Sequence, residues 1–165
     1  CGLHLLGLWG GEYDFKHCTF ANFWPFSRQT PSVFLVNQID ILNDEAHDLI
    51  ANFGNCIIDG SNENEILISK SENHNFEYTL DHCMVKINTI EWISAQTWNT
   101  NTNQSTIILN NNSHNNFVDI EVVPFELGAN SNAIDAGAIY IAEEVQYDFN
   151  GNYRLPTPDI GCVEK

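Results

Sequence analysis

Positive charge is scarce in this chain. Only six lysine and arginine residues stand against 22 aspartates and glutamates, which gives a formal net charge of −16 at pH 7. Nucleic-acid binding depends on basic contacts to phosphate, and anionic membrane surfaces attract basic segments. The composition therefore argues against nucleic acid and anionic lipid as partners, and against a polyanionic glycan unless a bound cation intervenes.

Long hydrophobic runs are also absent. No apolar stretch approaches the roughly 20 residues that a membrane-spanning helix requires, so we expect no membrane insertion. The sequence opens at Cys1 without a methionine, and its first residues resemble the interior of a repeated unit. We expect one domain over residues 1–165, the C-terminal fragment of a longer protein, with repeated coils in 1–127, a terminal cap in 128–165 and further coils upstream.

Closely spaced cysteines are missing as well. The five cysteines include no Cys-x-x-Cys pair, which disfavours a zinc site, and their odd number does not fit a small disulfide scaffold. Cysteine usage therefore leaves the redox compartment open.

Three of the cysteines instead mark a repeat. Residues 14–20, 52–58 and 79–85 each contain an apolar residue, a spacer, His or Asn, Cys, a spacer and an apolar residue. Recurrence at intervals of a few tens of residues is typical of a solenoid, in which successive segments stack. The two intervals differ, so we expect one coil to carry a longer outer loop.

The middle residues of the repeat, His17, Asn55 and His82, are predicted to turn the chain. Inward-pointing residues flank each of them at a spacing of three, whereas a flat strand alternates its faces with a period of two. Asn and His are enriched among non-glycine residues in the left-handed region, which suits a corner. The predicted inward columns are Phe15, Phe53 and Leu80; Cys18, Cys56 and Cys83; and Phe20, Ile58 and Val85.

The neighbouring His and Cys residues also suggest a Cys–His nucleophile as an alternative. In the stacked arrangement, however, the thiols of Cys18, Cys56 and Cys83 face inward while the imidazoles lie at the corners. We therefore predict free, buried thiols that fill a packing column.

Further strands are predicted between the repeats. Short β-branched and aromatic runs occur at residues 33–36, 66–68 and 106–109. Residues 40–52 fit neither period well, and we expect a short helix or a decorated loop there. The pattern as a whole predicts an all-β chain.

The C-terminal segment carries the most specific motifs. Residues 131–137 read Ser-Asn-Ala-Ile-Asp-Ala-Gly, residues 148–154 read Asp-Phe-Asn-Gly-Asn-Tyr-Arg, and residues 158–164 read Pro-Asp-Ile-Gly-Cys-Val-Glu. This succession resembles the closing signature of bacterial right-handed parallel β-helix repeat proteins with a surface-anchoring tail. Asn132 and Cys162 depart from it, because the family commonly has Pro and Ala at these positions.

The resemblance implies a fold and a setting. It implies a short right-handed parallel β-helix, a solenoid of about four or five coils with a C-terminal cap. It also implies export to the outside or the cell surface of a bacterium, within a superfamily that includes polysaccharide-active enzymes. The shared residues are structural: Asp135 and Asp159 are expected to accept backbone N–H groups in turns, and Gly137 and Gly161 to adopt special dihedral angles.

Catalytic chemistry has little support in the sequence. A polysaccharide lyase requires a base, usually Lys or Arg, and the six basic residues do not cluster. A glycoside hydrolase requires two carboxylates about 5–10 Å apart. Neighbouring acids such as Asp59, Glu63 and Glu65 are expected by chance in so acidic a chain, and we expect them to be solvated loop residues.

Calcium is the ion that the sequence fits best, if any ion binds. Asp59 and Glu63 in one turn, and Asp148 and Asn150 in another, supply oxygen ligands. Neither turn matches a full EF-hand loop, and the second overlaps the structural turn of the family. We therefore expect no metal or other cofactor to be required.

Four tryptophans are the candidates for contacting glycan: Trp9, Trp24, Trp92 and Trp98. Exposed aromatic faces stack on sugar rings, although packing under loops is the alternative role for such side chains. Two functions follow. The chain is either a non-catalytic β-helix module of an exported, surface-associated protein that contacts polysaccharide, or the C-terminal part of a polysaccharide lyase or glycoside hydrolase with its active coils upstream. The first is favoured because no acid–base constellation is visible.

Overall fold

The computed structural model of the chain is an all-β protein with almost no helix. It describes residues 6–24, 26, 28, 30–40, 45–71, 74–88, 107–109, 116–122 and 124–165. The described strands are β1 (Leu6–Leu8), β2 (Gly11–Lys16), β3 (Thr19–Asn22), β4 (Val33–Val36), β5 (Gln38–Asp40), β6 (Glu45–Ala46), β7 (Leu49–Gly54), β8 (Ile57–Gly60), β9 (Ile66–Ser69), β10 (Phe76–Asp81), β11 (Met84–Lys86) and β12 (Ile107–Leu109). A short helix, α1, covers Ile139–Ala142. Within the described residues, no helix has the length and apolar character needed to cross a membrane.

Three parallel sheets form the body of the molecule. Sheet A contains β1, β4 and β9; sheet B contains β2, β7 and β10; and sheet C contains β3, β8, β11 and β12. The chain passes through A, B and C in the same order three times, so that each pass adds one parallel strand to every sheet. Three stacked rungs of this kind are consistent with a short parallel β-solenoid.

The number of coils is defined only for the described part of the chain. Three rungs are complete there, and β12 adds one further strand to sheet C by pairing with β11. Residues 89–106 and 110–115 lie outside the described residues. Any coil after the third rung therefore stays a prediction, and so does the total of about four or five coils.

The strand register confirms the apolar columns on either side of the corners. Phe53 of β7 pairs with Phe15 of β2 and with Leu80 of β10. Ile58 of β8 pairs with Phe20 of β3 in the same way. The rings of Phe15 and Phe53 stack with their centroids 5.0 Å apart. Equivalent positions of successive rungs therefore touch, and the repeat becomes a continuous apolar interior.

The longer of the two repeat intervals contains a small antiparallel hairpin of β5 and β6. The expectation of a short helix or a loop at residues 40–52 is wrong for the described part, which forms β6 and the start of β7. Leu49, Ala51 and Phe53 alternate as buried residues along β7. This period of two is that of a strand, and the apolar Ile50 between them obscures it in the sequence.

Two apolar clusters lie on opposite faces of sheet C. Ile58 and Val85 belong to the interior cluster, whereas their neighbours Ile57 and Met84 belong to a second cluster. The partners of the second cluster include Ala133 and Ile160 from the predicted cap, together with Phe117 and Leu127 from the residues just before it. The segment that the sequence marks as a terminal cap thus covers a flank of the rungs, along the outer face of sheet C.

We predict that Ile57→Ala destabilises the protein about as much as Ile58→Ala does, by about 2–5 kcal/mol each, because both faces of β8 are buried. Urea unfolding followed by circular dichroism measures both losses. Ile139→Ala, at a half-exposed position, is the control and should change the free energy of unfolding by less than about 1 kcal/mol. A loss for Ile57→Ala as small as that of the control would show that the C-terminal segment does not cover sheet C.

Candidate functional site

The three corner residues have left-handed backbone angles. The φ angle is 50° at His17, 50° at Asn55 and 49° at His82. Each directly follows a strand of sheet B and precedes the cysteine that leads into sheet C. Because they occupy successive rungs, they form a stack along one edge of the molecule, which we call the corner column.

Asn55, the middle residue of the corner column, joins the rungs to the C-terminal segment. Its Oδ1 accepts a hydrogen bond from the N–H of Ala138 at 2.8 Å, and its Nδ2 donates to the oxygen of Ala138 at 3.0 Å. The backbone oxygen of Asn55 accepts from the N–H of Gly161 at 2.8 Å. The amide thus pairs with Ala138 as a peptide group would, and Asn also tolerates the left-handed angle.

His17 is buried beside Asn55. The Nδ2 of Asn55 lies 2.9 Å from Nε2 of His17. An amide nitrogen only donates, so Nε2 accepts and the imidazole carries its proton on Nδ1. Burial, with a smaller effect from the positive charge of Arg154, lowers the pKa of His17 to about 4. The ring is therefore neutral over most of the pH range in which the protein would function.

His82 contacts the C-terminal segment in a more exposed setting. Its Nδ1 lies 2.7 Å from a carboxylate oxygen of Asp81, and the other carboxylate oxygen accepts from the hydroxyl of Tyr140. The ring of Tyr140 lies edge-on to the imidazole at 6.1 Å between centroids. All three members of the corner column thus lie along the C-terminal segment.

The thiols next to the corner column are free. Cys56 and Cys83 are fully buried, and Cys18 is partly buried. The backbone N–H of Cys18 donates to Sγ of Cys56 at 3.4 Å. Burial raises the pKa of Cys56, and the contact with Cys56 together with burial raises that of Cys18. The thiols of Cys18 and Cys56 are thus held in the protonated, unreactive form, which argues against the Cys–His nucleophile alternative at these two positions.

The acidic motif residues of the C-terminal segment take different roles. The carboxylate of Asp159 accepts hydrogen bonds from the N–H groups of Asp135 at 2.7 Å and Lys165 at 2.6 Å. Asp135 is exposed, has a φ of 54°, and takes part as the donor of this bond rather than as a side-chain acceptor. The role of accepting backbone N–H groups, which the sequence predicts for both aspartates, is therefore performed by Asp159.

The two motif glycines are required for space and for conformation. Gly161 has a φ of 105°, and a Cβ there would lie 2.6 Å from Cδ1 of Ile57. Gly137 has no positive φ; instead, a Cβ would lie 2.8 Å from the oxygen of Pro158. The expectation of a special dihedral angle thus fits Gly161, whereas Gly137 permits a close backbone approach.

Two of the calcium candidates, Asp59 and Asp148, have carboxylates that accept local hydrogen bonds. Asp148 accepts from the N–H groups of Asn150 at 2.9 Å, Asn152 at 2.6 Å and Glu164 at 2.8 Å. Asp59 is fully buried and accepts from the N–H of Gly60 at 2.7 Å, while Glu63 is exposed. Across the described residues, no group of three His, Cys, Asp or Glu side chains is placed to hold a metal ion.

The expectation of solvated loop residues is wrong for Asp59, which is buried within β8, and for Glu65. The side chain of Glu65 is fully buried and pairs with that of Arg28, which is fully buried too. Glu65 also accepts from the N–H groups of Ser32 at 2.9 Å and Asn62 at 2.7 Å. Arg28 donates to the backbone oxygen of Asn22 at 2.9 Å. The pair fastens the loop after β3 to the turn between β8 and β9.

An open cavity of about 500 Å³ lies beside this buried pair. Its lining includes Arg28, Pro31, Ser61, Asn62, Glu63 and Asn64. The backbone of Trp24 is next to this lining, because the hydroxyl of Ser61 donates to the backbone oxygen of Trp24 at 3.4 Å. The ring of Trp24 is 5.4 Å from that of Phe26, and the two residues are 43% and 70% exposed. A predicted glycan-contact residue thus lies next to a cavity rich in hydroxyl and amide groups.

The other predicted glycan-contact residues are Trp9, Trp92 and Trp98. Trp9 is 41% exposed and follows β1 directly. Trp92 and Trp98 lie outside the described residues, so their proposed roles stay predictions.

Exposed aromatic residues in the C-terminal segment escaped the sequence interpretation. Tyr147, Phe149 and Tyr153 all have more than half of their surface exposed. Tyr147 and Tyr153 pair across an isolated antiparallel bridge. The available signal was the Asn150-Gly151 dipeptide between two aromatic residues, which favours a tight hairpin turn.

No protein-family model matches the chain, and searches of curated proteins and of solved structures give no match either. The arguments about function therefore rest on the geometry of the described residues.

We predict that His17 makes the protein less stable as the pH falls from about 6.5 to about 4. The unfolded chain protonates this histidine first, so the free energy of unfolding should drop by at most about 3 kcal/mol across that window. His17→Asn keeps a residue suited to the corner but does not titrate. As the pH falls, the wild type should therefore lose more of its free energy of unfolding than the variant does.

Urea unfolding at pH 7, 5.5 and 4 measures this shift, and His47→Asn at an exposed position is the matched control. A difference between wild type and His17→Asn that stays constant with pH would contradict a buried, neutral His17.

Proposed function

We propose that this chain is a non-catalytic module of an exported, surface-associated bacterial protein, folded as a right-handed parallel β-helix, that contacts a neutral polysaccharide. The stacked columns and the left-handed corners support the β-helix assignment. The C-terminal motifs that resemble the surface-attached β-helix family supply the bonds of Asp159 and Gly161 to their neighbours. Their structural role fits what that resemblance implies.

The observation that carries the glycan proposal is the exposed Trp24–Phe26 pair, because the backbone of Trp24 is bonded to Ser61 of the cavity lining. Aromatic rings stack on the C–H faces of sugars, and amide and hydroxyl groups bind their hydroxyls. The cavity volume of about 500 Å³ falls within the usual range of about 300–1,000 Å³ for small-ligand sites. The exposed aromatic pair and the polar lining thus belong to neighbouring segments, which supports a sugar that contacts both.

The charge at this site favours a neutral sugar over a uronate. Arg28 is the cationic residue of the lining, and its guanidinium is already paired with Glu65. Glu63 is exposed at the cavity, and the whole chain carries a net charge of −16. A carboxylated sugar would meet repulsion, and the described residues of the lining offer no unpaired cation to offset it.

The basic side chains favour a binding role over lyase chemistry. Arg28 and Arg154 pair with carboxylates, and Lys86 is buried with its Nζ 2.6 Å from the oxygen of Gly60. Lys16 lies 2.8 Å from a carboxylate oxygen of Glu144. A catalytic base must be free to take a proton from the substrate, and these four groups are committed to structural bonds.

Affinity electrophoresis tests the proposal, with hydroxyethylcellulose, galactomannan and dextran as the polysaccharides in the gel. We predict that at least one of them retards the protein, and that Trp24→Ala weakens this binding about tenfold because a stacking face is lost. Val118→Ala is the control, because Val118 is an exposed apolar residue that is not a glycan-contact candidate.

Equal retardation of wild type and Trp24→Ala would rule out the Trp24 site. The same polysaccharides are incubated with the protein and assayed for new reducing ends and for unsaturated products. Turnover of any of them by this chain would overturn the non-catalytic assignment and support the lyase or hydrolase alternative.

A further inference from the structure

The hairpin between Tyr147 and Tyr153 presents aromatic side chains that the Trp24 site does not use. Tyr147, Phe149 and Tyr153 are 61%, 72% and 54% exposed. The two tyrosine rings are in contact in a tilted arrangement, with their centroids 5.5 Å apart and their planes inclined at 56°. Contiguous exposed aromatic groups mark interaction sites, whereas single exposed ones are ordinary.

Hydrogen bonds of the Asp148 carboxylate and of the hairpin backbone hold this hairpin in place. The carboxylate of Asp148 accepts from the N–H groups of Asn150, Asn152 and Glu164 at 2.9, 2.6 and 2.8 Å. The N–H of Asp148 donates to the oxygen of Asn152 at 2.9 Å. The tyrosines are therefore positioned before any ligand arrives, which lowers the entropic cost of binding.

Tyr153 also lines a cavity of about 510 Å³. The other polar lining residues are Asp135, Asn152, Arg154, Thr157, Asp159, Glu164 and Lys165. Asn152 and Thr157 are exposed there, whereas Arg154 is buried and its Nε makes no hydrogen bond among the described residues. The cavity thus offers hydrogen-bond donors and acceptors directly beside the aromatic pair.

The charged groups of the cavity favour a neutral ligand, because most of them already have partners. Arg154 pairs with Glu164, Nζ of Lys165 donates to the oxygen of Leu127 at 2.7 Å, and Asp159 accepts from two backbone N–H groups. A neutral ring with several hydroxyl groups satisfies both the aromatic faces and the polar lining. Sugars combine a neutral ring with several hydroxyl groups in this way.

We propose that the C-terminal segment carries a second sugar-binding site, in which a neutral sugar ring stacks on the Tyr147–Tyr153 pair and directs its hydroxyl groups into the neighbouring cavity. The site extends the proposed polysaccharide contact but shares none of its residues with the Trp24 site. The chain would then hold one polysaccharide at two places, and simultaneous binding would raise the apparent affinity for long chains over short ones.

Nuclear magnetic resonance of the full chain with labelled tyrosine rings tests this site. The probes are the methyl glycosides of glucose, galactose and mannose at millimolar concentration. We expect at least one glycoside to shift the Tyr147 and Tyr153 ring signals in a saturable way. Tyr153→Ala should weaken that binding about fivefold or more through loss of a stacking face. Tyr140→Ala is the matched control, because Tyr140 is also 54% exposed but lies outside the hairpin.

The Trp24→Ala variant separates this proposal from the preceding one. Saturable shifts at Tyr147 and Tyr153 that persist in Trp24→Ala support a second site, even if the Trp24 site itself fails its own test. Retardation by polysaccharide that depends on Trp24 but is unchanged by Tyr147→Ala and Tyr153→Ala would overturn the second site alone. An absence of tyrosine shifts with all three glycosides would overturn it as well.

Discussion

The pairing of the Asn55 amide with the backbone of Ala138 is the contact on which the arrangement of the molecule depends. It joins the middle rung to the C-terminal segment through two hydrogen bonds, and the bond from Gly161 to the oxygen of Asn55 adds a third. Around this point the segment covers the outer face of sheet C with apolar residues. A buried polar pair that is fully satisfied sets the register in a way that apolar packing alone does not.

The same constraint explains why the corner column combines two residue types. The middle corner requires a left-handed backbone angle together with both a donor and an acceptor, and Asn supplies all three. His17 needs to accept only one bond from Asn55, whereas His82 lies nearer the surface beside Asp81 and Tyr140. The rigid frame that results presents its exposed aromatic residues without the entropic cost of ordering a mobile loop.

The sequence predicted the corners and the stacked columns, because the His/Asn–Cys unit is a local pattern that recurs. It missed β7, where the outward Ile50 is as apolar as the inward residues, and it missed the Arg28–Glu65 pair, whose members are 37 residues apart. Part of the Trp24 site could be predicted, because the tryptophan stands out by its residue type. The cavity residues Ser61 to Asn64 could not be placed near it, because they belong to the next coil. Contacts between coils depend on register, which no single segment contains.

Replacement of Asn55 and of His82 by glycine, compared in one experiment, tests the central claim most directly. Glycine tolerates the left-handed angle at both corners, so only the side-chain contacts are lost. Asn55→Gly should cost about 2–4 kcal/mol in the free energy of unfolding, because Ala138 loses both partners in a buried place, and His82→Gly should cost less than about 1 kcal/mol. Hydrogen exchange should show loss of protection at the Ala138 amide in Asn55→Gly alone. Equal stability of the two variants, with that amide still protected in both, would contradict the account.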